Sequence, residues 1–262
     1  MSLSELVDAI DGNHLIISPD EKLSLYKYYS NFDCFKKFIQ TKKLFFSRIS
    51  DWKDKREGII SQNDFNEIYD QFRKDYNLSD KDPGLYGNYE SHCQFYSILT
   101  HYSYGCCFHT SEEESLYMWN EFEGGSSQVA IKTSIGKIKK IVENHSEHQF
   151  VIGFVTYDTT MLDNKQYLTD NCFRLFYKRP AYRDEYEYRV LITKPDPYDL
   201  LKDKNAGIDS ENGKRISVNL EFLIDEIIMR PNADNDLESE IRLLLDDKNG
   251  NPSTIKIRKS SL

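Results

Sequence analysis

The sequence predicts an α+β or α/β fold, a central mixed β-sheet carrying an inserted helical segment. Three observations carry that expectation. Short apolar or alternating runs recur from Leu23 to Lys259, each bounded by turn residues, as strands require. Helical periodicity is concentrated between about residues 61 and 104, inside the run of strands rather than after it. The chain is 39% hydrophobic with 18 Tyr and 15 Phe, enough to bury a core in spite of a mean hydropathy of −0.64. Residues 1–20 read as a leader and 21–262 as a single domain with the helical insertion at about 61–104.

Taken in order, "KLSLYKYYS" is the first strand, with Leu23, Leu25, Lys27 and Tyr29 on one side and Tyr26 and Tyr28 on the other. Asn31 then caps a helix in which Phe35, Phe38 and Ile39 fall at i, i+3, i+4, and "LFFSR" returns as a short buried strand. "DWKDKREG" is a loop. Two helices follow, one with Phe65, Ile68, Tyr69, Phe72 and Tyr76 on its apolar stripe, the other with Phe95, Ile98, Leu99 and Tyr102, separated by "LSDKDPGLYGN". "YGCCFHT" is a strand. Ser111 and Glu114 are spaced as a capping box for the short helix around Trp119, and Gly124 and Gly125 stop it. "QVAIKT" and "QFVIGFVTYD" are strands, Thr159 to Lys178 is a loop with a helix, and the strand "EYEYRVLI" follows. "DEIIMRP", a helix near "LESEIRLLLDD" and the strand "STIKIRK" complete the chain.

Charge and cysteine usage exclude several classes. A net charge of −9 gives no global positive field, so no general binding of nucleic acid or anionic membranes is expected, although a local basic groove stays open. No apolar run approaches the roughly 20 residues that span a bilayer, the N-terminus is acidic where a signal peptide would be basic, and five cysteines show no disulfide spacing. The expected location is cytoplasmic. No G-x-x-x-x-G-K-[ST] and no G-x-G-x-x-G is present, so P-loop and Rossmann chemistry are set aside.

The chemistry-bearing stretch is "DEYEYR". Glu185, Glu187 and Arg189 are two apart and, on a strand beginning near Glu185, share one face with Leu191 while Tyr186, Tyr188, Val190 and Ile192 share the other. One reading is a half-exposed strand face whose carboxylates pair across strands, for about 0.2–1 kcal/mol each. The other is a reaction centre in which two carboxylates converge on a polar cleft and the arginine holds one of them. Cys106, Cys107, His109, His92, Cys93 and His101 are zinc-ligand types but lack C-x₂₋₄-C spacing, so no metal is expected. Cys107 and His109 share a strand face as a cysteine nucleophile and its base would, and a packed histidine fits equally. "EGGSSQ" could offer backbone N–H groups to an anion or simply end a helix. Trp119 reads as a helix-to-sheet anchor with its indole N–H paired.

Four stretches, "LYKYYSNFDCFKKFIQTKKLFFSRISDW", "YGCCFHTSEEESLYMWNEFEGGSSQVAI", "FYKRPAYRDEYEYRVLI" and "IDEIIMRPNADNDLESEI", occur in the order and character of the bacterial DUF2971 family, and the chain also resembles AbiGi-type abortive-infection proteins. The resemblance covers roughly residues 23–246 and matches the family at Tyr26, Lys27, Tyr28, Ser47, Trp119, Glu185, Glu187 and Arg189. Tyr29 stands where the family has arginine, and Asn120, Glu121 and Phe122 stand where it has Ser-His-Tyr.

A second likeness, in order of elements, is to the NAD-using ADP-ribosyltransferases: "YKYY", then "FKKFIQTKKLFFS", then the E-x-E of "EYEYR". It implies that Glu187 binds the nicotinamide ribose and stabilises an oxocarbenium-like transition state, that Glu185 orients the acceptor, that tyrosines stack the nicotinamide and that Lys27 takes an anchor place usually held by Arg or His. Three functions follow as expectations. The first is an NAD-dependent ADP-ribosyltransferase-like enzyme or toxin of phage defence, with Glu187, Glu185 and Arg189 catalytic, Tyr26, Lys27, Tyr28, Ser47 and Trp119 lining the substrate cleft, and NAD as substrate. The second is a non-catalytic sensor or adaptor binding a protein or phage component. The third is a metal-dependent nuclease built on the acidic strand.

Overall fold

Strands buried on both faces lose the alternation that betrays a half-exposed strand, and two such strands organise this molecule. In a computed structural model that describes residues 7–11, 14–17, 20–77, 88–120, 128–159, 171–193, 212–246 and 252–262, they are β5 (Tyr104–Thr110) and β8 (Glu187–Ile192). They pair antiparallel, with Cys107 opposite Arg189 and His109 opposite Glu187. The mixed sheet runs β1 (Val7–Asp11), β2 (His14–Ile17), β7 (Phe150–Phe154), β8, β5, β3 (Ser24–Tyr29), β6 (Val129–Ser134), β10 (Glu226–Met229), β11 (Lys256–Lys259). β2–β7 and β10–β11 are the parallel pairs on that path and the other neighbours are antiparallel. Two further strands branch from it: β4 (Lys43–Arg48) pairs with the start of β5, and β9 (Gly213–Ser217) pairs with β4. β3 takes the other end of the same β5 edge, through Leu25 opposite Thr110 and Tyr26 opposite His109.

One face is the main core. Leu25 and Tyr29 of β3, Val129 and Ile131 of β6, Tyr188 and Val190 of β8 lie under Phe35, Phe38 and Ile39 of α1 (Phe32–Thr41) and Ile138, Ile141 and Val142 of α5 (Ile135–Glu143). The expected cap holds, since Asn31 Oδ1 accepts from Asp33 N at 2.8 Å, and Lys42 ends α1 in the left-handed region at φ 53°. On the opposite face, Val151 and Leu191 meet Tyr96 and Leu99 of α3 (Tyr89–His101). Phe65 and Ile68 of α2 (Gln62–Asp75) pack on Phe173 and Tyr177, the former in α6 (Asn171–Arg174). Further along, Tyr26, Tyr28, Ala130 and Ile228 sit under Met118 and Trp119 of α4 (Leu116–Asn120). α7 (Leu220–Leu223) and α8 (Asn235–Leu245) close the main core through Leu220, Leu223 and Ile241.

Several expectations change. Residues 1–20, read as a leader, supply β1 and β2, which extend the sheet beyond β7. The strand predicted from Glu185 begins at Glu187, because Pro180–Glu185 forms a 3₁₀ turn and Tyr186 is left-handed at φ 37°. Every residue of β8 is buried, which removes the half-exposed face. "LFFSR" alternates, with Leu44 and Phe46 inside and Phe45 42% exposed. α3 buries His92, Tyr96, Leu99 and Thr100, a face offset from Phe95 and Ile98. The Ser111 and Glu114 capping box is not formed. Ser115 Oγ accepts from Met118 N at 3.3 Å, and Glu114 is drawn instead to Trp119 and Arg258. Gly124 and Gly125 lie outside the described residues, as does most of the Thr159 to Lys178 region. The structure adds α5, α7 and β9 to the elements expected.

Candidate functional site

Alternation along β8 sends Glu187 and Arg189 to the face covered by α2, α3 and α6, and there the charges find one another. Arg189 Nε donates to Glu187 Oε1 at 2.8 Å and Nη2 to Glu187 Oε2 at 3.0 Å. The same Nη2 donates to Glu57 Oε2 at 2.7 Å, and Nη1 to the carbonyl of Leu175 at 2.5 Å. Lys178 supplies a second cation: its Nζ lies 2.6 Å from Glu185 Oε2, 3.2 Å from Glu187 Oε2 and 3.3 Å from Glu57 Oε1. Three carboxylates thus share two cations in the interior, where isolated charge is costly and only a mutually paired set is tolerated. Arg189 is 0% exposed and Glu187 5%.

Local backbone geometry brings these groups together. Gly58, at φ 72°, turns the chain immediately after Glu57, and a Cβ there would run into Tyr96 and the Arg174 carbonyl. Tyr186 holds the left-handed conformation that bulky residues avoid, pinned by Thr110, whose N and Oγ1 both donate to its carbonyl at 2.8 Å. That turn lets the carboxylates on either side of it reach the same ammonium. Trp52 covers the cluster, with its ring centroid 5.0 Å from the Arg189 guanidinium and its Nε1 donating to Ser47 Oγ at 2.8 Å. The indole can lie there because position 105 is glycine; a Cβ would meet Trp52 at 2.5 Å.

The electrostatics divide the two glutamates. Burial alone would raise the Glu187 carboxyl, but Arg189 and Lys178 overcome it and hold Glu187 well below the usual carboxylate range. For Glu185 burial prevails over Lys178 and the carboxyl is raised. Lys178 is pushed up: desolvation opposes its charge, and Glu187 and Glu57 outweigh it. The Cys107 thiol is raised by burial and by Glu187, so it is not an activated nucleophile. His109 Nδ1 lies 2.7 Å from the Glu185 carbonyl, which can only accept, so Nδ1 carries the proton; burial lowers this imidazole and keeps it neutral.

The predicted site residues separate into three places. Glu185, Glu187 and Arg189 share the buried cluster, and Ser47 touches it through Trp52. Tyr26, Tyr28 and Trp119 lie on the same sheet face but in a packed group of their own. The Tyr28 and Trp119 rings meet edge to face at 4.8 Å, Tyr26 OH donates to the Glu112 carbonyl at 3.2 Å, and Trp119 Nε1 donates to Glu114 Oε2 at 3.1 Å. Trp119 is therefore the anchor its composition suggested, and 1% exposed. Lys27 is not with them. It follows Leu25 and Tyr29 onto the opposite face, where its Nζ donates to the Cys107 carbonyl at 3.3 Å and lies over Phe108. Among the described residues no group of three or more His, Cys, Asp or Glu is placed to hold a metal ion.

Four participants escaped the sequence reading: Glu57, Lys178, Trp52 and Tyr157, whose hydroxyl accepts from Glu187 N at 3.0 Å. Only "REG" and "YKRP", a charge beside a chain-bending residue, marked two of them. Tyr157 also lines an open cleft of about 510 Å³ beside the cluster, with Arg56, Asp64, Asp158, Tyr177 and Arg183 around it. Arg179 at its rim is taken up by Asp54 at 2.8 Å. No described helix is long and apolar enough to cross a membrane. Compared with known proteins, the chain matches no family model, no curated protein and no solved structure.

Proposed function

We propose that the protein is a non-catalytic binding protein of the sensor or adaptor kind, with the E-x-E-x-R strand as its scaffold. One observation carries this reading: both oxygens of Glu187 are occupied by Arg189 and Lys178 in a buried position, so Glu187 has no free carboxylate oxygen to offer a ribose. A small ligand would instead sit in the cleft beside it, whose lining includes Arg56, Arg183, Asp64 and Asp158. Kinship with the DUF2971 and AbiGi-type proteins, and with it a part in bacterial phage defence, rests on the four sequence stretches. The five free cysteines support a cytoplasmic place.

A second reading, an NAD-dependent ADP-ribosyltransferase-like enzyme, is favoured by Glu185. Its side chain is the most exposed of the three glutamates, at 13%, and its raised carboxyl is the one able to exchange a proton. No comparable observation favours a nuclease, since the carboxylates that could hold a metal surround the Lys178 ammonium. Incubation of the purified protein with NAD separates the readings. The binding reading expects no nicotinamide release, from wild type or from Glu187→Gln. Release by wild type that Glu185→Gln or Glu187→Gln abolishes, with the fold intact by circular dichroism, would overturn it.

A further inference from the structure

We infer that the β4–β9 ribbon is a binding strip for single-stranded nucleic acid, a function apart from the cleft and independent of whether the cleft is occupied. The inference starts from charge. Residues 42–56 and 212–219 carry eight basic side chains against two acidic ones, in a chain of net charge −9; Arg48 is buried, Arg56 lines the cleft and Lys214 lies over Tyr104 on the other face, which leaves Lys42, Lys43, Lys53, Lys55 and Arg215 exposed. One of those two acids, Asp54, is already paired with Arg179. The segments are far apart in sequence, and antiparallel pairing of β4 with β9 lays them side by side.

The register decides what faces solvent. Lys43, Phe45 and Ser47 share one face of β4, and Arg215 stands directly opposite Phe45. Lys43 and Arg215 are exposed, and Phe45 is 42% exposed, which is unusual for a phenylalanine in a sheet. Its ring leans over Gly213, where a Cβ would collide with it, and the Arg215 guanidinium lies 5.1 Å from its centroid. At the far end Ser47 holds Trp52, and Lys55 folds back to donate to the Ser50 carbonyl at 2.7 Å. A partly exposed ring with the Arg215 guanidinium beside it and Lys43 next along the same face offers an aromatic surface to an unstacked base and cations to the adjoining phosphates. Duplex DNA hides its bases and cannot use the ring. The strip is short, about 13 Å from Lys43 to Ser47 at strand rise, so binding is weak and strongly salt-dependent.

The test is fluorescence anisotropy of labelled single-stranded DNA and RNA of about 12 nucleotides with the full chain, at about 50 and 200 mM salt. Binding is expected at low salt, with log Kd rising by about 2 per decade of salt for three phosphate contacts. Phe45→Ala and Arg215→Glu should each weaken it at least about fivefold, whereas Lys74→Glu, the same change of charge or more on α2, should leave it unaltered. Phe45→Trp should retain binding, which covers the case in which Phe45→Ala fails to fold. Absence of binding at low salt overturns the inference. So does equal binding of duplex DNA with no effect of Phe45→Ala, which would be charge attraction alone.

Discussion

Glu57 and Arg189, 132 residues apart in the chain, meet at 2.7 Å in the interior of the protein. Glu57 comes from a loop after β4 and Arg189 from β8, a strand buried at every residue. Their contact ties the loop that leads into α2 to the sheet.

Removing one partner leaves the others charged and buried. Arg189→Met is expected to destabilise the fold by about 3–5 kcal/mol, measured by urea unfolding, because Glu57 and Glu187 lose their shared cation. Glu57→Gln should cost less, since Arg189 keeps both bonds to Glu187. A cost for Arg189→Met near that of an ordinary surface change would show that the cluster is not paired in solution.

Acid acts on the two glutamates of the stretch in opposite senses. Glu187 has a depressed carboxyl, so its stabilisation is present above the unfolded-state value near 4.3 and is lost as pH falls below it. Glu185, raised by burial, acts in the opposite sense and loses stability as pH rises through its own folded value. Glu185→Gln should therefore stabilise the protein slightly at neutral pH, lose that advantage as pH falls toward about 4, and leave the steep acid loss in place.

His92 adds an earlier phase. It is fully buried against Phe65 and its imidazole is lowered to about 3, chiefly by desolvation and then by Arg174. The unfolded chain takes up a proton near pH 6.5 and the folded chain does not, so stability should fall with pH between about 6.5 and 3, by at most about 1.4 kcal/mol per unit. Denaturation midpoints across that range test it, and His92→Phe should flatten the slope.

Gly105→Ala should displace Trp52 from Arg189. A Cβ at 2.5 Å from the indole forces the ring to move, at a cost of about 1–3 kcal/mol. Trp52 is partly exposed and Trp119 buried, so a red shift confined to the more exposed emission component is the expected signal.

Thiol labelling of the native protein should modify Cys34, which is exposed, and spare Cys106 and Cys172, which are buried. Cys107 is only partly covered as a residue, yet burial and Glu187 raise its thiol, so its reaction should be slow until the protein unfolds. Rapid labelling of Cys107 would mean that Glu187 does not face it.

Local periodicity and capping chemistry were legible in the chain. Asn31 and the Phe35, Phe38, Ile39 stripe specified α1, and alternation specified the two faces of β3 and β6 and the shared face of Glu187 and Arg189. Trp119 with its indole paired was also legible, because a large ring with one donor has few comfortable places. The surroundings of the E-x-E-x-R stretch came from long-range packing. Its burial, and so the difference between a solvated face and an ion cluster, depends on Glu57 and Lys178 arriving from other elements. Lys27 faces away from the expected cleft, as the alternation of β3 already implied, because strand alternation outranks any motif spacing. The left-handed turn at Tyr186 was hidden as well, since it is enforced by Thr110 on the neighbouring strand rather than by a glycine or asparagine that could be read from the sequence. Local patterns report the short-range preferences of the backbone; which charges neutralise each other is settled by long-range pairing, which leaves no fixed spacing in the chain.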